Sequence, residues 1–99
     1  MKYITLCCNA GMSTSLLVQK MQKVAQERGL DAEIHAYPIT EIMSHMDQAD
    51  VILLGPQISY ALDDYKKQTD KPIAVIPMMD YGRMNASKII DDALKLMGE

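Results

Sequence analysis

With 99 residues the chain has room for one core and one domain, and no internal repeat divides it. Ten Lys and Arg against 13 Asp and Glu leave a formal net charge of -3 with no long run of either sign, which excludes the basic stripe that nucleic acid requires. Apolar runs extend only a few residues, far short of the roughly 20 needed to span a bilayer, and residues 1 to 8 show no signal-peptide pattern, so a cytoplasmic chain without membrane insertion is expected.

Residues 2 to 8 have the length and β-forming composition of a first strand. A helix follows from about Ser13, with Leu17, Met21, Val24, Ala25 and Arg28 on one stripe, Gln19, Lys20, Gln22, Lys23 and Gln26 on the other, and Gly29 as its stop. Residues 31 to 37 read as a second strand. Ile39, Ile42, Met43 and Met46 then repeat at the spacing of a short amphipathic helix after Pro38. Asp50 to Leu54 is the most continuous apolar run and suits a central strand covered on both faces. After Gly55-Pro56-Gln57, the spacing of Ile58, Ala61, Leu62 and Tyr65 predicts another helix. Pro72 to Ile76 makes a fourth strand, Met78 to Gly82 a loop, and Ala86, Ile89, Ile90, Ala93, Leu94 and Met97 stripe a last helix with Asn85 as its N-cap.

This βαβαβαβα alternation implies an α/β fold: a four-stranded parallel sheet with helices on both faces, built by right-handed crossovers. Pattern alone does not fix the strand order; if it is 2-1-3-4, the winding reverses beside the first strand and a crevice opens at its carboxyl end, the same spot that the loop chemistry selects. Cys8 stands at that point, followed by Asn9-Ala10-Gly11-Met12-Ser13-Thr14-Ser15. Small and hydroxyl residues leave backbone N–H groups free to curl around an anion, and the start of a helix adds more of them together with the positive end of a dipole. The same groups stabilise a thiolate, which would lower a cysteine pKa from about 8.5 into the range of about 3.5–7.5. The loops after strands three and four, with Pro56, Gln57, Tyr60, Asp80 and Tyr81, are candidates for the rim of this crevice. Cys7, its neighbour on the strand, should point to the opposite face and serve as a small core residue.

The segment Leu6 to Leu17 closely resembles the active loop of the enzyme IIB component of the bacterial phosphotransferase system, lactose/cellobiose (chitobiose) class. Ala49 to Tyr60 resembles that family's third strand and following loop, and Tyr81-Gly82 its segment after strand four, so the likeness covers residues 1–99 as one IIB domain. One departure is Asn9, where cellobiose-type members carry serine. The resemblance implies a fold similar to low-molecular-weight tyrosine phosphatases and a phosphohistidine–sugar phosphotransferase working through a phosphocysteine. Cys8 would accept the phosphoryl group from an enzyme IIA phosphohistidine and pass it to a sugar of the cellobiose, lactose or chitobiose kind bound by membrane enzyme IIC.

Phosphoryl transfer is served by an in-line nucleophile and donors for three equatorial oxygens. Cys8 supplies the first; N–H groups from Asn9 to Ser15 and the hydroxyls of Ser13, Thr14 and Ser15 supply the second, the hydroxyls alternatively acting as helix caps. No metal or other cofactor is implied, and His35 and His45 read as structural or solvent-exposed residues. A phosphatase of similar fold would need Cys-x5-Arg, and that position is Thr14 here. Asp80 could serve such an enzyme as general acid; a solvated turn residue is the plainer reading. A thiol redox sensor or anion-binding module is the non-enzyme alternative, opposed by the strain of joining adjacent cysteines. Most of the nine methionines fit core stripes, including Met21, Met43, Met46 and Met97, while Met12, Met78 and Met79 fall in rim loops as partner contacts. No spare apolar helix face remains, so a monomer is expected.

Overall fold

The computed structural model describes residues 2–8 and 12–98, and side chains throughout these except at 12–14. Strands β1 (Lys2–Cys8), β2 (Ala32–Pro38), β3 (Val51–Leu54) and β4 (Ile73–Val75) form one parallel sheet in the order β2-β1-β3-β4. The expected α/β architecture, strand order and winding reversal beside the first strand are therefore all present. β1 and β3 are the inner pair, and all four residues of β3 are buried, as its unbroken apolar run requires. Asp50 leads into β3 rather than opening it: its carboxylate accepts the Tyr3 N–H at 2.8 Å while its own N–H donates to the Tyr3 carbonyl at 2.8 Å.

Helix α1 (Met12–Glu27) ends where Gly29 takes φ +68. The N–H of Leu30 reaches back to the Ala25 carbonyl (2.9 Å) and that of Gly29 to the Gln26 carbonyl (3.1 Å). This pair of bonds satisfies the last carbonyls of the helix and needs a left-handed residue at its pivot. Leu17, Met21 and Ala25 are buried as the stripe predicted, but Arg28 lies at the surface, with its guanidinium on Asp91 (2.6 Å) and Ser87 of the last helix. A guanidinium at the edge of an apolar stripe keeps its charge in water while tying two helices together.

The segment after β2 is a 3-10 helix over Ile42–Gln48 instead of an amphipathic α-helix. Ile42 and Met46 are buried, whereas Met43 is 54% exposed and does not belong to the core. Met43 follows Ile42 by about a third of a turn, and two short turns can bury only a narrow strip against the sheet. The helix expected after β3 is likewise two pieces, a 3-10 turn over Pro56–Ala61 broken at Ile58 and helix α2 (Leu62–Gln68), although Ile58, Ala61 and Tyr65 still point inward. Met78 to Gly82, expected as a loop, is a short helix, α3 (Met78–Gly82), followed by α4 (Ala86–Leu96). Asn85 precedes α4, but its side chain makes no capping bond; its carbonyl accepts the Ile89 N–H at 3.1 Å instead.

The two faces of the sheet carry separate cores. Ile4, Leu6, Val51 and Leu53 meet Leu17, Met21, Ile89 and Ile90 of α1 and α4 on one face. Cys7, Ile52 and Leu54 meet Ile42, Met46, Ile58 and Tyr65 on the other. Replacing the fully buried Met21 by Ala is expected to lower unfolding free energy by about 2–5 kcal/mol, and Met43→Ala by no more than about 0.5 kcal/mol, both read from urea unfolding curves.

Candidate functional site

Cys8 is the last residue of β1 and only 8% exposed. By strand alternation it follows Ile4 and Leu6 onto the face covered by α1 and α4, at the carboxyl end of the sheet. Its carbonyl accepts the Ile39 N–H at 3.0 Å, and the carbonyl of Cys7 accepts the Gly55 N–H at 2.9 Å, so the segments after β2 and β3 both fasten to the end of β1. A Cβ on Gly55 would meet Gln57 Oε1 at 3.0 Å, so a larger residue there displaces the Gln57 amide, and would stand 3.9 Å from the Cys8 Cβ. The backbone of Gly55 thus lies directly against Cys8, with the Gln57 amide beside it.

Asn9, Ala10 and Gly11 lie outside the described residues, as do the side chains of Met12, Ser13 and Thr14; of the last three the structure describes the helical backbone opening α1. Ser15 is exposed and lines an open groove between α1 and edge strand β2 with Val18, Gln22, His35 and Tyr37. Pro56 opens the 3-10 turn after Gly55, where a fixed φ suits the first helical position. Tyr60 is 72% exposed on that turn. Tyr81 is half-buried against the α1/α4 core. The structure thus brings Gln57 to Cys8 through Gly55, leaves Tyr60 on the surface, and gives Asp80 a different setting from the one expected.

Asp80 is not a solvated turn residue. It is buried in the single turn of α3, and its carboxylate accepts a hydrogen bond from Lys88 Nζ at 2.9 Å; the same ammonium reaches Asp92 at 3.0 Å. A buried carboxylate needs such a partner, since an unpaired charge in that position is strongly unfavourable. The hydrogen bonds from Lys88 to Asp80 and then Asp92 hold its pKa above the ordinary lysine range.

Cys7 stands back to back with Cys8. It is fully buried in the opposite core, opposite Tyr37 on β2 and Leu54 on β3, and Tyr65 of α2 shares that core with it. Burial, then the neighbouring Cys8, pushes the Cys7 thiol from 9.0 up to about 11, while the nearby Tyr65 hydroxyl acts the other way. Tyr65 is pushed from 10.0 up to about 12, chiefly by burial and then by Cys7. Opposite faces of one strand keep the two sulfurs apart, which removes the geometric basis for a disulfide between them.

The two histidines have an aromatic partner in common. His45 stacks on Tyr37 with ring centres 3.6 Å apart and planes at 8°, and His35 lies tilted at 6.3 Å from the same ring. Among the described residues no group of three or more His, Cys, Asp or Glu gathers to hold a metal ion. Sequence reasoning missed two residues that matter here. Tyr65 reads as one more apolar position in a helical stripe, and its partner is a strand away. Lys88 carries a visible i, i+4 relation to Asp92, but its contact with Asp80 depends on how α3 folds back on α4.

Fold and site together define a parallel α/β protein with a thiol at the carboxyl end of its first strand, at the point where the sheet's winding reverses. The family description "PTS system, Lactose/Cellobiose specific IIB subunit" matches residues 3–92. The chain belongs to this lactose/cellobiose IIB family and is a phosphotransferase component of a sugar phosphotransferase system, working with that system's other components. It is 43% identical over 100 residues to the oligo-beta-mannoside-specific EIIB component of Bacillus subtilis (strain 168), covering 98% of this chain and 97% of the relative. It is 42% identical over 104 residues to the cellobiose-specific EIIB component of Lactococcus lactis subsp. lactis (strain IL1403), covering 97% and 96%. The solution structure of the cellobiose-specific IIB component from Borrelia burgdorferi superposes with a TM-score of 0.85 at 37% identity, covering 98% of this chain and 92% of that one. No described helix is long and apolar enough to cross a membrane.

The Cys7–Tyr65 pair sets an alkaline limit on stability. Both groups hold their protons more tightly folded than unfolded, so their contribution is complete below about pH 9 and is lost as pH rises through about 11 to 12. Urea unfolding followed from pH 8 upward should show stability falling over that range, and the fall should be shallower in a Cys7→Ser/Tyr65→Phe variant.

Proposed function

We propose that Cys8 is the phosphoryl acceptor and that the 99 residues act as one IIB domain between a phosphohistidine on enzyme IIA and a sugar held by membrane enzyme IIC. The observation that carries this reading is the seat of Cys8: a thiol at the carboxyl end of an inner strand, where the sheet's winding reverses, beside the bare backbone of Gly55. The Cys8 thiolate attacks phosphorus in line. The P–N bond breaks, its electron pair returns to the imidazole, which takes a proton from solvent, and an S–P bond forms. A sugar hydroxyl then attacks the same phosphorus, the S–P bond breaks, and the thiolate leaves as the hydroxyl proton passes to a base or water in the membrane partner.

The backbone N–H groups of residues 9 to 15 bind the equatorial oxygens in this reading, with the hydroxyls of Ser13, Thr14 and Ser15 as further donors or caps. The Gln57 amide, next to Gly55, offers one more polar group at the rim. Two features favour a carrier over a hydrolase. Thr14 stands where a phosphatase would place its arginine, and the Asp80 carboxylate is engaged by Lys88 rather than free to hand a proton to a leaving group.

The rim also suits a protein partner. Leu16 in the first turns of α1, Tyr60 after β3, and Met78 and Met79 after β4 are all exposed, the last two at 75% and 65%. All four follow the carboxyl ends of strands, at the same end of the sheet as Cys8, and flexible thioethers adapt to successive partners. The relatives are named for oligo-beta-mannoside, galactose and cellobiose, and a sugar of the cellobiose, lactose or chitobiose kind is the class we assign to the acceptor. The cytoplasmic side of the membrane is where such a carrier would work.

Intact-mass measurement after incubation with a phosphorylated lactose/cellobiose-class enzyme IIA tests the reading. Wild type and Cys7→Ser are expected to gain one slowly hydrolysed phosphoryl group and Cys8→Ser none; free phosphate without an adduct would reinstate hydrolysis, and neither product would leave a binding or sensing role.

A further inference from the structure

Helix α3 is too short to be stable alone, since five residues close barely one turn. It nevertheless presents Met78 and Met79 to solvent at the Cys8 end of the sheet, so something must fix its position. Asp80 is held at both its ends. Its carbonyl accepts the Asn85 N–H at 2.8 Å, closing the turn into α4, and its carboxylate accepts the Lys88 ammonium at 2.9 Å from the first turn of α4. Between these two bonds the chain passes through Met84 at φ +51, a left-handed conformation that favours glycine and that a methionine keeps only when its surroundings impose it. Lys88 is fixed in turn by Asp92, one helical turn further along α4.

We propose that Lys88 is a positioning residue for phosphoryl transfer: by clamping the buried Asp80 to α4 it sets the placement of α3, and with it the methionine rim on which the phosphohistidine donor docks. This rests on the reading of Cys8 as the phosphoryl acceptor. Lys88 does not touch the reacting atoms in this account. Its ammonium neutralises a carboxylate that has little access to water; without it, Asp80 must turn outward to be hydrated and takes the single turn of α3 with it. Donor binding is then weakened while the chemistry at Cys8 is left intact.

The test is the steady-state rate of phosphoryl transfer from phosphorylated enzyme IIA through this protein, with the concentration of the phosphorylated donor varied and thermal unfolding measured alongside. Lys88→Met is expected to raise the KM for the donor about fivefold or more while kcat stays within about twofold, and Lys88→Arg to keep the wild-type KM. The double variant Asp80→Leu/Lys88→Met, which removes the orphaned carboxylate together with its partner, is expected to restore KM to within about twofold of wild type. If Lys88→Met does not fold, Lys88→Gln takes its place with the same expectation. An unchanged KM in the single variant overturns the proposal. So does a double variant as impaired as the single one, which would make Lys88 a direct contact to the donor. A wild-type protein that acquires no phosphoryl group on Cys8 in the same assay instead overturns the underlying assignment of the acceptor.

Discussion

Parallel pairing of β1 with both β2 and β3 is the constraint from which the rest follows. An inner strand with neighbours on both sides has its backbone groups taken up along its length, and the ends of those neighbours are delivered to its own carboxyl end. The two bonds there, Ile39 N–H to the Cys8 carbonyl and Gly55 N–H to the Cys7 carbonyl, gather three chain segments around one thiol. Parallel strands pair this way only with crossovers between them, so the helices on both faces are a consequence of the same geometry.

Strand alternation then divides the labour of two adjacent cysteines. Cys8 faces α1 at the open end of the sheet, where an anion can meet helix N–H groups. Cys7 faces the other core and is kept protonated by burial, with Tyr65 as its polar neighbour. A protonated neighbour adds no negative charge beside the thiol meant to react. One residue's shift in register would exchange the two environments, because the side-chain period of a strand is two.

Around the rim, short elements combine one or two buried side chains with specific backbone and polar ties. The 3-10 turn after Gly55 starts on a proline and buries Ile58 and Ala61, and α3 rests Tyr81 on the core while both ends of Asp80 are tied to the start of α4. Such ties fix direction at little cost in buried surface, which leaves the side chains above them, Tyr60, Met78 and Met79, free to face a partner. The arrangement suits a carrier that must be docked by one protein and released to another.

The strands, the stripes of α1 and α4 and the place of Cys8 at the end of the first strand were legible in the sequence, because they arise from local periodicity; the strand order, and with it the winding reversal, is not fixed by that pattern and comes from the sheet itself. The stop of α1 was legible too: Gly29 is the residue that takes a positive φ without strain. What else the tertiary structure alone decided were contacts between residues far apart in the chain or across a sharp turn. Met43 has the spacing of a core residue, yet the strip buried by two short turns is narrower than its period suggests. Asp80 has the composition of a solvated turn, yet the fold of α3 onto α4 buries it against Lys88. Tyr65 reads as an apolar position until the sheet sets it on Cys7. Periodicity reports which face of an element turns inward; it carries no information on how wide the covering face is or which polar atom waits there, and those follow only from the packing of one element on another.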